Sequence, residues 1–227
     1  MLNTQKQLAT INTVCASLIN NRYFLIICCI SILNRLNTTI TDISIHYINT
    51  ILYKSITLDR FNSATNITLM ISLLLTPFLV DKLNGMYKVN LIGYIISSAF
   101  RILAILTIYI GNDSILLYFL ASSSLGISIF QVSQKSLAIA ASDYTYKIKG
   151  ITTYHIMLFF IFLCERISDD IFTTFIGWLI RANKFAENTL VQQHCCINTL
   201  NIFLWLPFII NIAIIIVLCV LDVEKKQ

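Results

Sequence analysis

Runs of about 20 residues almost free of charge recur six times along the chain. Nothing else in the sequence narrows the possible folds so far. A hydrocarbon core about 30 Å thick takes about 20 helical residues at about 1.5 Å each. A segment in that core must satisfy its own backbone N–H and C=O groups, which leaves helices or closed barrels. The runs cover 23–47, 64–80, 89–110, 115–141, 151–180 and 200–221. Each is too long for a barrel strand of about 10 residues, so the expected fold is all-α, a polytopic membrane protein with six transmembrane helices in one bundle. Composition agrees. Apolar residues make up 57% of the 227 residues and charged ones 12%, against about 45–50% and about 25% in soluble domains. Part of the isoleucine excess is of the kind an AT-rich genome produces, so the spacing of charge carries the argument. With mean hydropathy +0.78, two prolines and six glycines, collagenous, disordered and disulfide-stapled classes are excluded.

The polar stretches between runs are connectors rather than domains: 81–88, 111–114, 143–150 and a longer segment, 181–199. Residues 1–22 are expected to be a cytoplasmic lead-in, 23–222 the six-span bundle and 223–227 a cytoplasmic tail. The lead-in lacks a cleavable signal pattern, because Asn12, Thr13, Ser17 and Asn20 interrupt its apolar stretch. Placing the N-terminus inside puts eight cations on the cytoplasmic side (Lys6, Arg22, Lys82, Lys88, Lys147, Lys149, Lys225 and Lys226). Four fall outside (Lys54, Arg60, Arg181 and Lys184). The positive-inside rule then places both termini in the cytoplasm. The net charge of +5 is explained by these loop ends, and the expected surroundings are membrane lipid, with no nucleic acid.

Function should reside where charge enters the spans, since a charge in lipid is costly unless it faces water or a partner. In the first span, Arg35 and Asp42 lie seven residues apart, on one helical face and roughly 10 Å apart along the axis. Asp42 and His46 form an i, i+4 pair. With Asn34, Asn37, Thr38, Thr39, Thr41 and Ser44 around them, this half reads as cavity-lining. The alternative is a short helix over 23–33 followed by an external loop. In the fifth span, helical spacing pairs Arg166 with Asp170, which can neutralise each other. It also stacks Glu165 on Asp169, two carboxylates that need a cation from elsewhere or a raised pKa. Arg35 and Arg101 are the available cations. In the fourth span, Ser122, Ser123, Ser124, Gly126 and Ser128 read as a close-packing surface, while Gln131, Gln134 and Lys135 form a polar stripe with Gln131 the candidate ligand. The candidate substrate-binding residues are therefore Arg35, Asp42, His46, Gln131, Glu165 and Arg166. Counted over the spans, Arg35, Arg101, Lys135 and Arg166 balance Asp42, Glu165, Asp169 and Asp170, so charge alone selects neither an anionic nor a cationic solute.

No enzyme is expected. The sequence has no HExxH, no Gly-rich phosphate loop and no GxSxG, and His46, His155 and His194 are scattered. No metal-ligand spacing or cofactor motif is present, so no cofactor is implied. Most of the seven cysteines are expected to be small buried apolar residues.

Several stretches are similar to a known family. Phe130-Gln131-Val132 and Ile139-Ala140-Ala141-Ser142 lead through a short hydrophilic turn to a helix with central charge. Ile45-His46-Tyr47-Ile48-Asn49 forms an aromatic and amide cluster in the first helix, and the apolar 202–220 closes on Leu221-Asp222. Together they resemble the C-terminal six-helix half of the reduced folate and thiamine carriers, vitamin transporters of the major facilitator type. Asp81, Gly85 and Lys88 resemble the common facilitator loop, with one extra residue between the acid and the glycine. The pattern departs at the fifth span, where the family has a lone basic residue and Arg166 here stands among three acids. The resemblance implies a plasma-membrane transporter of a vitamin-sized organic solute, folate-like or thiamine-like, working by alternating access. Carriers of that family have twelve spans. The chain is therefore expected to be a fragment, a truncated product, or a half that forms a homodimer or joins a second six-span half. The competing expectation is a helical membrane scaffold or accessory subunit in which the same charges only lock helices together.

Overall fold

In the computed structural model the backbone is described for residues 16–51, 58–110, 113–184 and 191–220. Seven long helices account for most of it: α1 (Arg22–Ile51), α2 (Leu58–Leu83), α3 (Met86–Ile110), α4 (Asp113–Ser122), α5 (Leu125–Lys149), α6 (Tyr154–Lys184) and α7 (Val191–Val220). They begin and end for local reasons. Asn21 caps α1, its Oδ1 accepting from the N–H groups of Tyr23 (3.0 Å) and Phe24 (3.2 Å). Its Nδ2 donates to the Ala141 carbonyl and the Thr145 hydroxyl, fastening the start of α1 to the end of α5. The turn from α2 to α3 uses Asn84, in the left-handed region at φ 51°, followed by Gly85 at φ 156°; asparagine tolerates the first conformation better than most residues and glycine the second. Gly150 ends α5 at φ 68°, its N–H donating to the Tyr146 carbonyl at 2.8 Å.

Four helical stretches are long and apolar enough to cross a membrane: Arg22–Ile45, Asp59–Leu83, Met86–Thr107 and Ser114–Lys149. The last runs through the interruption between α4 and α5. Among the described residues α7 offers a shorter apolar stretch, Leu204–Cys219. The 31-residue α6 is long enough but carries Glu165, Arg166, Asp169 and Asp170 across its middle. Among the described residues, length and apolarity thus support four of the six expected spans.

Burial is inverted relative to a water-soluble bundle. On α2, Ile67, Met70, Leu74 and Phe78 share one face and are 60–73% exposed, while Ser72 and Thr76 on the opposite side are buried. Between helices in lipid, association draws on close packing and polar contacts rather than on expulsion of apolar surface. The interior shows both. Tyr23, Ile27, Ile30 and Ile40 of α1 meet Tyr94 of α3, Phe130 of α5, Met157 of α6 and Ile214 of α7 in one core. Helices α3 and α5 approach closely at Gly93 and Gly126. A Cβ on Gly126 would come within 2.7 Å of the Tyr94 ring and 3.1 Å of the Tyr94 Cα. Helix α1 packs on α6 and α7, and α3 on α4, α5 and α7, leaving α2 and α6 to contribute on separate flanks.

Four expectations change. The first span is one continuous helix to Ile51, which removes the short-helix-and-loop alternative. Residues 191–199, read as external loop, are helical as the start of α7, because polar residues such as Gln192 and Gln193 end a hydrophobic run without ending a helix. The fourth span is two helices, with Ser123 and Ser124 between them in a turn. Of the cysteines with described side chains, Cys28 is buried, Cys164 is half-buried, and Cys29 and Cys219 are exposed, so burial is not their rule. Lipid accepts a thiol, which removes the pressure to hide it.

Candidate functional site

Polar side chains inside the bundle fall into two groups. The first is a network among α1, α5 and α6. Arg35 Nη2 lies 3.2 Å from Glu165 Oε2, and Arg35 Nη1 lies 3.6 Å from Asp169 Oδ2. Gln134 Nε2 donates to the other Glu165 oxygen at 2.7 Å and to Ser31 Oγ at 3.1 Å. Helical spacing puts Glu165 and Asp169 on one face, and the guanidinium fork of Arg35 bridges both. The stacked carboxylates therefore receive their cation from Arg35, not from Arg101.

The second group lines a cavity of about 210 Å³ bounded by five elements. Helix α1 supplies Asn37, Thr38, Thr41 and Asp42; α2 supplies Phe61, Asn62, Thr65, Asn66 and Leu69; α3 supplies Arg101. Ser123 and Ser124 come from the α4–α5 turn, Ile127, Ser128 and Gln131 from α5, and Pro207 and Asn211 from α7. Its floor is a chain of hydrogen bonds. Thr41 Oγ1 donates to Asn37 Oδ1 (3.4 Å), Asn37 Nδ2 to Asn211 Oδ1 (2.7 Å), Asn211 Nδ2 to Ser97 Oγ (3.2 Å), and Ser97 Oγ to the Ser123 carbonyl. Asn37 and Asn211 are 3% and 1% exposed, and their amides settle each other where an unmet polar group would be costly.

Arg101 is the anomaly of this wall. It is the largest of the fully buried side chains, 1% exposed. Its Nε reaches the Leu204 carbonyl at 3.4 Å and its Nη1 reaches Ser123 Oγ at 3.5 Å, both long for hydrogen bonds. Nη2 has no partner among the described residues, and no carboxylate there lies within salt-bridge distance of the group. Leu204 stands three residues before Pro207, in the turn whose backbone hydrogen bonding the proline interrupts. Asp42, half-buried, likewise has no hydrogen bond or ion pair among the described residues. The cavity thus holds one cation and one carboxylate that are not joined to each other.

Of the six candidate ligands, Asp42 and Gln131 line the cavity, while Arg35 and Glu165 pair with each other outside it. The reason is placement: α6 packs on α1 and α5 away from the cavity and contributes nothing to its lining. Arg166 is exposed, with its guanidinium over the Phe162 ring at 5.8 Å. No ion pair joins it to Asp170 among the described residues. The His46 side chain lies outside the described residues. Asn211, in a run that reads as a clean apolar span, escaped the sequence reading, although a lone asparagine in the middle of such a run is itself the signal. The three serines at 122–124 were read as packing surface; two of them are instead the turn that opens onto the cavity. No protein-family model, no curated protein and no solved structure matches the chain.

Proposed function

We propose that the chain is an integral membrane transporter, or one half of a transporter, that carries a small organic solute through the cavity between α1, α2, α3, α5 and α7. The observation that carries this reading is the position of the cavity at an interrupted helix. Irregular backbone at membrane depth is tolerated where it lines a cavity, and broken helices at such sites are how many carriers present polar groups to solutes. The cavity equals roughly seven water volumes at about 30 Å³ each, which favours a solute nearer in size to thiamine than to folate. A plasma-membrane location with both termini cytoplasmic belongs to the same proposal, on the distribution of loop cations. So does a second copy or second half. Arg166 and Asp170 stand on an exposed α6 face among Phe162, Ile167 and Phe175, where lipid contact would be costly and a partner helix would relieve it.

The test is uptake into vesicles containing the purified full chain, with labelled thiamine, folate and small amino acids offered in turn. Saturable accumulation of one of them above protein-free vesicles is expected. None accumulating, in vesicles whose protein is shown to be folded, would overturn the carrier. The scaffold reading has its own support in the Arg35, Glu165, Asp169 and Gln134 network, which is closed on itself and offers a solute little. It predicts lost folded yield from substitutions in that network and no uptake for substitutions in the cavity to alter.

A further inference from the structure

We infer that the cavity is a two-pole binding site, in which Arg101 beside the start of α5 holds the oxyanion of a small solute and Asp42 holds its cationic group, so that the preferred ligand is a zwitterion. This rests on the carrier reading for the access of solute to the cavity. It deepens that reading by naming the ligand class.

The anionic pole has two independent supports. Arg101 is 1% exposed and brings five donors to the cavity wall. Two of them make only long contacts, and Nη2 has none among the described residues. A buried guanidinium held so loosely by protein is an uncompensated charge, and its planar fork matches a carboxylate or phosphate in bidentate fashion. Next to it stands the N-terminus of the 25-residue α5, whose first-turn N–H groups and dipole favour negative charge. No side chain caps that terminus. The Ser124 hydroxyl, positioned to do so, donates instead to the Ala121 carbonyl at 2.6 Å, and Ser123 donates to the Leu120 carbonyl at 2.6 Å. The first-turn N–H groups of α5 are therefore left to another acceptor.

The cationic pole is Asp42. Its carboxylate faces the same cavity without a protein partner among the described residues. Arg35, two turns earlier on α1, is committed to Glu165 and Asp169. Were Asp42 and Arg101 a structural pair, they would lie within ion-pair distance, and no such pair is present among the described residues. Both line one cavity of about 210 Å³ without forming an ion pair, which leaves room for a short molecule to meet both. Gln131, Asn37 and Asn211 on the same lining supply neutral polar surface.

Binding to the purified full chain separates the possibilities. Three solutes of similar length serve as probes: gamma-aminobutyrate, pentanoate and pentylammonium. Thermal stabilisation is read for each. The zwitterion is expected to half-saturate at a concentration about tenfold below that of pentanoate, the worth of one charge-assisted hydrogen bond, with pentylammonium weakest. Asp42→Asn should bring gamma-aminobutyrate level with pentanoate. Arg101→Gln should abolish the response to both carboxylates; where that variant does not fold, Arg101→Lys, which keeps charge and loses the fork, should weaken both about tenfold. The inference is overturned by pentylammonium matching the zwitterion, by Asp42→Asn leaving the order of the three unchanged, by a folded Arg101 variant that binds carboxylates as the parent does, or by no response to any probe. The carrier is judged separately by vesicle uptake. Binding in the expected order without uptake retains the site and refutes transport, whereas uptake of a solute that neither variant alters retains transport and refutes the site.

Discussion

The two polar groups in this bundle are built from the same kinds of residue and differ in whether their charges are answered. In the network of Arg35, Gln134, Glu165 and Asp169, one cation meets two carboxylates at 3.2 and 3.6 Å and an amide takes up a remaining oxygen. In the cavity, Arg101 and Asp42 each lack a charged partner among the described residues. A charge inside an apolar bundle is stable when paired and hydrogen-bonded, and costly otherwise. The paired group therefore explains itself as a clamp joining α1 to α6. The unpaired one requires water or a ligand to complete it, which is why the functional reading attaches to the cavity.

That contrast can be broken experimentally. The largest effect is expected from Arg35→Ala, which leaves Glu165 and Asp169 stacked without a cation. Breaking a buried pair costs about 3–5 kcal/mol, and with the Arg35 side chain 36% exposed a loss of about 2 kcal/mol is expected. It should appear as reduced folded yield and a lower melting temperature, and partial recovery on adding Glu165→Gln would tie the loss to the stranded acid. A melting temperature unmoved by Arg35→Ala would mean the network is not a clamp. Next in size is Gly126→Ala, whose methyl would press on the Tyr94 backbone. Overpacking of this kind costs about 1–3 kcal/mol, and an unaltered melt would show that α3 and α5 can separate freely beside the cavity.

Smaller again is Asn211→Leu, which cuts the hydrogen-bond chain under the cavity. Interhelical hydrogen bonds in membranes average about 0.6 kcal/mol, so a modest fall in stability should accompany a clear loss of solute binding. Equal losses in both would make Asn211 a packing residue. The smallest stability effect is expected from Asp42→Asn, within about 0.5 kcal/mol of the parent, since its carboxylate supports no neighbour. A large destabilisation there would reveal a structural partner and erase the difference between the two groups.

Much of the architecture was legible because the bilayer imposes a length scale that composition obeys. Among the described residues most of each apolar run is helical, the fourth as two helices, and four helical stretches are long and apolar enough to cross a membrane; the ends were misjudged where polar residues such as Gln192, Gln193 and Thr199 continue a helix past its apolar part. Pro77 and Pro207 lie inside continuous helices, as the uninterrupted runs implied, while the interruption came at Ser123–Ser124 with no proline to mark it. Serine side chains there bond to carbonyls three residues back, a local competition for backbone groups that residue type permits but periodicity does not reveal. The site was half legible. Asp42, Gln131 and Arg101 stood out as polar groups in apolar runs. Which of them would share a space depended on the lateral order of the helices, which hydrophobic spacing leaves undetermined. Hence Glu165 and Asp42 could be placed on suitable faces of their own helices and still end in different compartments.

The turn at Ser123–Ser124 also has a mechanical consequence. It divides what would be a single rod into an arm of 10 residues and an arm of 25, roughly 15 Å and 37 Å long at about 1.5 Å per residue. A pivot placed so near one end works as an unequal lever. A swing of about 5° at the serines would carry the far end of α5 through about 3 Å while shifting the short arm's tip by about 1 Å. Because the fulcrum is itself part of the cavity wall, any small rotation there would reach the Lys147–Lys149 end enlarged by nothing more than leverage.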